Sequence, residues 1–508
     1  MTVKRYVVLP AFGFRSQTLA ASDKLRMIGA GVRLSARPAL RNAVSAGQTE
    51  GPATEMQVLD STHEDGPKLV EMSPEAELNL KAEIPGLRVV PLVTYHTMRA
   101  EQAVMRPTPD PGRVSKVRII DAQTKNGVAG ARVIAFTNFR SRAGAEGSTD
   151  RSGTVNLAIA PGSNLDRLYV YGPARYWGHY SANQRADRNL TIDIEPIDPA
   201  SPALLLHQLY GQLPLEAGAG IRVAIVDTGI ARNHPLLPNV SGGANLVFDE
   251  IHNDAGAAGD WGPAAVEGDH GTHVAGIVGA HPTGAVKLKG IAPGVELRSY
   301  RVFPNDGGGA TNYDILSAID RAVSDGCQII NLSLGGGGED EALRAAIIDA
   351  QTAGTLVVAA AGNDSRKPVS FPASIETCVA VSAMGRIGSI PDKSTEAADV
   401  ARPFGNDKSN YLAAFSNVGP QIDLTGPGAG IVSTLPNDTY GVMSGTSMAC
   451  PAIVGFAAYL LAVNPAIQGT SGAERVKLWK NLLSNSARPL GFGRDYEGFG
   501  LPSIVLTS

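Results

Sequence analysis

Between Ile221 and Gly362 the chain alternates two textures. "IRVAIVD" (221–227), "ELRSYRVF" (296–303), "CQIINLSL" (327–334) and "TLVVAAAG" (355–362) are short apolar runs rich in β-branched residues, the pattern of strands buried on both faces. Between them, "NYDILSAIDRAVSDG" (312–326) and "EDEALRAAIIDAQTAG" (339–354) space apolar residues three and four apart and end in glycine, the pattern of amphipathic helices. This alternation predicts a parallel sheet with helices on both faces, an α/β domain over residues 201–508.

Upstream the period changes. "KVRIID", "ARVIAFTNF", "GTVNLAIAP" and "LDRLYVYG" are short strands separated by "TKNG" and "TDRSG". In "TVNLAIA", Val155, Leu157 and Ile159 point one way while Thr154, Asn156 and Ala158 point the other. An Ig-like or regulatory-like β-sandwich over 106–200 is expected, bounded by the Pro-rich linkers "RPTPDPG" (106–112) and "PIDPASP" (196–202). Before it, "EMQVLDST" (55–62) and "GLRVVPLVTYH" (86–96) read as strands. "SPEAELNLKAEI" (73–84) reads as a helix, with Ser73 as N-cap, Pro74 at the first position and Ala76, Leu80 and Ile84 four apart. Residues 1–105 thus form a small α+β region, although Ala20–Thr54 has no clear pattern.

Composition narrows the class. Of 508 residues, 43% are hydrophobic and 18% charged, a globular balance in a chain too long for one core. A net charge of −4 removes the electrostatic case for nucleic acid or an anionic membrane. No run reaches the length of a membrane span. Cys327, Cys378 and Cys450 are scattered without CxxC spacing, against a disulfide scaffold or a cysteine zinc site. The apolar run from Tyr6 is cut by Pro10 and Arg15 and makes a poor secretory signal. That favours an intracellular protein and leaves secretion by a non-standard route open.

The α/β region carries candidate chemistry. Asp227 ends a buried strand, where α/β proteins place their sites. His273 opens a small-residue helical run in "DHGTHVAGIVGA". Ser447, in "GVMSGTSMACP" (441–451), stands at a helix start beside Ser444 and Thr446, where free N–H groups favour negative charge. Singly each is weak: a turn aspartate accounts for Asp227 as well as an active-site acid does, and a core or turn histidine and a helix cap are the better readings of His273 and Ser447 taken alone. Together they supply a nucleophile, a base and an orienting acid.

"VAIVDTGI", "HGTHVAGI" and "GTSMACP" resemble the Asp, His and Ser motifs of the subtilisin-like serine proteases (subtilases), in that family's order along the chain. "VVAAAGND" (357–364) resembles the family's oxyanion segment and maps its Asn to Asn363. The resemblance spans roughly residues 203–508. It implies Ser447 as nucleophile, His273 as general base, Asp227 as its orienting acid, and the Asn363 amide with the Ser447 N–H as oxyanion hole. "NLSLGGGG" (331–338) resembles the substrate-binding strand, so Ser333, Leu334, Gly335 and Gly336 are expected to bind substrate. Leu334–Gly336 would pair with its extended backbone, and the glycines would hold the first side-chain pocket open. "YRVFPNDGGGAT" (300–311) would form the opposite wall. Such a pocket implies broad preference, favouring bulky apolar or aromatic side chains.

This sequence departs from the family at Asp269, where glycine is commoner. Cys450, one turn after Ser447, could lie near the site or simply be a small buried residue. The chemistry calls for no cofactor; a structural calcium is left open, since the acidic residues of 248–262 lack ligand spacing and read as solvated loop.

The resemblance also implies an N-terminal propeptide. Region 1–105 would then be an intramolecular inhibitor whose strand "GLRVVPLVTYHTM" runs on into the cleft, with self-cleavage after about Thr97–Ala100. The sandwich loosely resembles regulatory-like domains attached to secreted peptidases, and Tyr176, Trp177 and Tyr180 are either a contact patch or core. The reading is a broad-specificity serine endopeptidase acting on polypeptides through an acyl-enzyme, made as a self-inhibited, self-processing precursor. The alternatives are a catalytically quiet binding protein on the same fold, or an exopeptidase or esterase-like acyl transferase.

Overall fold

The computed structural model describes residues 3–14, 56–100, 103–107, 114–187, 189–336 and 338–504. The unassigned Ala20–Thr54 stretch lies outside them, as does most of the first Pro-rich linker. At the N-terminus, β1 (Lys4–Leu9), β2 (Met56–Ser61), β3 (Lys68–Met72) and β4 (Arg88–Pro91) form an antiparallel sheet in the order β2-β3-β1-β4. The apolar run from Tyr6 is therefore a central strand. Tyr6 and Val8 pack with Ala76, Leu80 and Ile84 of the Pro74–Glu83 helix, which Ser73 caps by accepting from the Ala76 N–H. Val7 and Leu9 face the other way, into the large domain, with Phe14, Leu69, Phe248, Tyr313 and Leu316. A strand covered on both faces must be apolar throughout, which is why this one reads like a truncated signal.

Next come β5 (Thr94–Thr97) and the short β6 (Arg106–Pro107). Then follow β7 (Ser115–Asp121), β8 (Arg132–Asn138), β9 (Ala143–Ser148), β10 (Thr154–Leu157), β11 (Asn164–Tyr171), β12 (His179–Arg185) and β13 (Asn189–Ile194). Sheets β10-β7-β13 and β12-β11-β8-β9-β6 face each other across Val117, Ile119, Leu157, Val133, Leu168, Val170 and Ile192. Gly144, Gly147 and Glu146 make β9 too poor in apolar residues to read from the sequence as a strand. Trp177 leaves that core and packs with Ile197 against Leu236, Ile390, Val432 and Tyr440.

In the large domain, β14 (Arg222–Asp227), β15 (Val240–Asn245), β16 (Glu296–Arg301), β18 (Ile329–Leu332), β20 (Leu356–Ala360) and β21 (Val379–Arg386) build the parallel sheet expected from the apolar runs. β22 (Asn410–Leu412) adds to β21 antiparallel and β23 (Leu424–Pro427) parallel, so the sheet is mixed. Two apolar clusters cover its faces. One holds the Asp269–Gly279 and Thr446–Ala462 helices, the other the Asn312–Ser324 and Glu341–Ala353 helices. Among the described residues no helix is long and apolar enough to cross a membrane.

Candidate active site

Helices on a parallel sheet start near the carboxyl ends of its strands, so their first turns converge there. Asp227, the last residue of β14, is fully buried at this edge. Its Oδ1 accepts from the Thr228 N–H at 2.7 Å and from His270 Nδ1 at 2.8 Å. His270 is the second residue of the Asp269–Gly279 helix, and Gly271 N–H donates to Thr228 Oγ1 at 2.9 Å, which ties that helix start to the strand end. A ring that donates from Nδ1 keeps its Nε2 lone pair as an acceptor. That Nε2 is buried without a hydrogen-bond partner.

The expectation of His273 as the base is corrected by this geometry. His273 lies one turn deeper in the same helix, and its Nε2 donates to the Ile431 carbonyl at 3.0 Å. Burial above all, with His270 and Arg99 nearby acting in the same direction, pushes its pKa down to about 3, so it stays neutral. It joins the helix to the strand at Ile431 and makes no hydrogen bond to Asp227 or Ser447. The second residue of each helix would have been the better guide: His270 holds that position in one helix and Ser447 in the other.

Ser447 is fully buried. Its N–H donates to the Met98 carbonyl at 3.0 Å, while its Oγ donates to the Ser333 carbonyl at 2.8 Å. Thr446 faces elsewhere, and its N–H and hydroxyl both donate to Asn363 Oδ1 at 2.9 Å. The amide is thereby oriented with Asn363 Nδ2 buried and free of any partner. Ser444 Oγ accepts from the Gly430 N–H at 3.0 Å, so it too is structural.

The cleft is filled by the chain's own backbone. β5 lies antiparallel between β17 (Ala310–Thr311) and β19 (Leu334–Gly335), pairing Tyr95 with Ala310, Thr97 with Leu334 and His96 with Gly335. Met98 N–H donates to the Ser333 carbonyl at 3.1 Å and Ala100 N–H to the Ser444 carbonyl at 2.8 Å. The Met98–Arg99 peptide bond thus lies over Ser447. At Gly445 a Cβ would collide with the Met98 carbonyl oxygen, and at Gly335 it would meet the Met98 side chain, so these two glycines admit the strand. Gly336 opens onto unoccupied space. Arg99 pairs with Asp269 at 3.3 Å, which puts the unusual residue before His270 beside the strand.

Known proteins resemble this chain in sequence. The model of the subtilase family, peptidase family S8, matches residues 218–501. The chain belongs to the subtilase family. Over 293 residues it is 36% identical to subtilisin DY of Bacillus licheniformis, covering 56% of this chain and 90% of that protein. It is 34% identical to subtilisin BL of Lederbergia lenta, covering 56% and 89%. With subtilisin NAT of Bacillus subtilis subsp. natto identity is also 34%, but the match spans only 62% of that protein's length and 53% of this chain.

In this subtilase Cys450 is fully buried in the helix that Ser447 opens, its thiol against the carbonyls beneath that helix. Its Sγ lies 3.3 Å from the Val358 carbonyl, and burial raises the thiol pKa well above its usual value. The acidic segment 248–262, expected as a solvated loop, instead forms a helix over Phe248–Asn253 and a 3-10 turn over Ala255–Gly259, and arginines engage it: Glu250 with Arg301 at 2.5 Å, Asp249 with Arg5 at 2.7 Å and Asp260 with Arg232 at 3.7 Å. Among the described residues no three His, Cys, Asp or Glu side chains converge as a metal site.

Proposed function

We propose that the chain is the precursor of a serine endopeptidase that first cuts itself at Met98–Arg99. The observation that carries this reading is the Met98 carbonyl, hydrogen-bonded to the Ser447 N–H at 3.0 Å while its strand is paired on both edges of the cleft. Ser447 Oγ turns about χ1 from the Ser333 carbonyl toward His270 Nε2, gives up its proton there and attacks the Met98 carbonyl carbon. The Ser447 N–H and the partnerless Asn363 Nδ2 receive the oxyanion. His270, oriented by Asp227, then protonates the Arg99 nitrogen as it leaves. Water attacks the Met98 acyl-enzyme with His270 again as base. The chain supplies every group these steps need, so the reading calls for no cofactor.

The four-stranded unit acts as intramolecular inhibitor. Met98 fills the pocket opened by Gly335, and Tyr95, three residues earlier, is fully buried against Phe371 at 6.2 Å between ring centroids. Both contacts suit substrates with apolar or aromatic side chains at these two positions. Intact, the chain is latent because the cleft is occupied, and this accommodates the quiet-protein alternative as a stage before the cut. Mass spectrometry of the purified protein's termini, beside Ser447→Ala, tests the reading. A new N-terminus at Arg99 in the wild type and a full-length variant are expected. Cleavage of the Ser447→Ala chain at the same bond would sink it.

A further inference from the structure

Beyond the cut, the described residues Ala100, Ala103 and Arg106 are each hydrogen-bonded to the rest of the protein. Ala100 N–H is held by Ser444; Ala103 N–H then donates to Tyr171 Oη at 2.7 Å, and Arg106 N–H to the Arg142 carbonyl at 2.8 Å. Arg106 and Pro107 lie parallel to Ala143 and Gly144, so β6 occupies the edge of β9. A cavity of about 460 Å³ runs along this path, walled by Tyr169 and Tyr171 on the sandwich side and by Glu396, Asp399 and Ser444 of the catalytic domain. The two walls are fixed to each other. Arg175 N–H donates to the Tyr440 carbonyl at 2.9 Å, Tyr180 N–H to the Lys393 carbonyl at 2.6 Å, and Trp177 is buried between them.

We propose that the sandwich is a substrate-binding extension of the protease, reading the extended polypeptide on the leaving-group side as far as the ninth residue past the scissile bond. This rests on the function proposed above. Three features support it. The anchoring groups of the strand are main-chain N–H donors at Ala100, Ala103 and Arg106, which any polypeptide other than one with proline there can offer. The acceptors, Tyr171 Oη and the Arg142 carbonyl, belong to the sandwich. Without β6, β9 would be an open sheet edge, the kind of template that pairs with an incoming strand. A spacer would need none of these. The ligand class is therefore an extended, unfolded polypeptide segment with at least nine residues after the cut, and the chain's own Arg99–Ala100 and Ala103–Pro107 are its first occupants.

Because the same groups hold the tethered segment after processing, Arg106→Pro, which removes one of its anchoring donors, should raise turnover of added substrate several-fold. The central experiment compares two internally quenched peptides on the processed full chain carrying Arg106→Pro, in which the tethered segment no longer fills the edge of β9. Both carry Pro-Leu-Val-Thr-Tyr-His-Thr-Met before the cut; one ends at the equivalent of Ala100, the other continues through Pro107. The longer peptide should show a kcat/KM about tenfold higher, and N-methylation at its Ala103 equivalent should reduce that advantage about fivefold, the range for losing one hydrogen bond. Tyr171→Phe should reduce the long-to-short ratio by a similar factor. Equal rates for the two peptides, cleaved at Met–Arg, overturn the extension while leaving the protease reading intact. Cleavage of neither peptide, with no labelling of Ser447 by a serine-directed phosphonate, overturns both.

Discussion

Two β-rich units precede the catalytic domain, and they hold it at different places, one inside the cleft and one outside it. The four-stranded unit engages through backbone: β5 is paired on both edges inside the cleft, and only one face of its sheet, with Val7, Leu9 and Leu69, rests on the helices outside. The sandwich engages through an apolar seam outside the cleft, with Trp177 and Ile197 buried among Leu236, Ile390 and Val432, flanked by main-chain hydrogen bonds from Arg175 to Tyr440 and from Tyr180 to Lys393. Met98–Arg99 lies between the two units. Under the proposed function, one cut turns the first into a dissociable inhibitor and leaves the second covalently attached. What separates a temporary unit from a permanent one is thus the position of a single peptide bond over Ser447, more than the area or strength of either contact.

The comparison can be broken most sharply at the site. Ser447→Ala or His270→Ala should suppress processing by a factor on the order of 10⁶, the magnitude established for subtilisin. Both units then stay joined on denaturing gels, and a 1–98 fragment from either variant would refute the assignment. His273→Gln, in contrast, should still process. Next in size, Trp177→Ala should destabilise the sandwich contact by about 3 kcal/mol, at the lower end for truncating a buried tryptophan. Hydrogen exchange should rise around Ile197 and Tyr440 while cutting at Met98–Arg99 persists.

A third effect is pH-dependent. His273 is neutral when folded, with a pKa lowered to about 3, and takes up a proton more readily when unfolded. Stability from this group is therefore present above the ordinary histidine pKa and is lost as pH falls below it. Between pH 7 and pH 5 the loss is about 2 kcal/mol, measurable by urea unfolding of the Ser447→Ala chain, and His273→Gln should flatten it. The smallest effect belongs to the rim of the inhibitor contact. Arg5 pairs with Asp249 at 2.7 Å, with Arg5 half-buried and Asp249 exposed. Arg5→Ala should weaken retention of the cut N-terminal unit by less than about 1 kcal/mol, read as faster release on size-exclusion chromatography at low salt, with no change in the sandwich.

Legibility in the sequence followed periodicity. The parallel strands and flanking helices of the large domain were plain because both-face burial demands continuous apolar runs. The Ser73-capped helix was plain because its cap, proline and four-residue spacing agree. β1 was obscured by the same rule, since "YVVL" covered on both faces resembles a leader segment. β9 was obscured because its glycines leave no room for side chains: a Cβ on Gly144 would strike the Ala135 carbonyl of β8, and one on Gly147 the Val155 side chain of β10. Asp227, Asn363 and Ser447 could be singled out from their motifs. The histidine could not: His270 and His273 share one motif and one helix, one turn apart.

By itself the sequence determined the fold of the last domain, the family, and a short set of candidate residues, because these depend on local pattern and spacing. Only the tertiary structure decided which histidine meets Asp227, that Asn363 presents a free amide, that Met98–Arg99 is the bond laid over Ser447, and that the sandwich borders the leaving-group side. Each of these depends on distances between segments tens to hundreds of residues apart. Such distances are set by how helices and sheets pack, and no single stretch of chain encodes them.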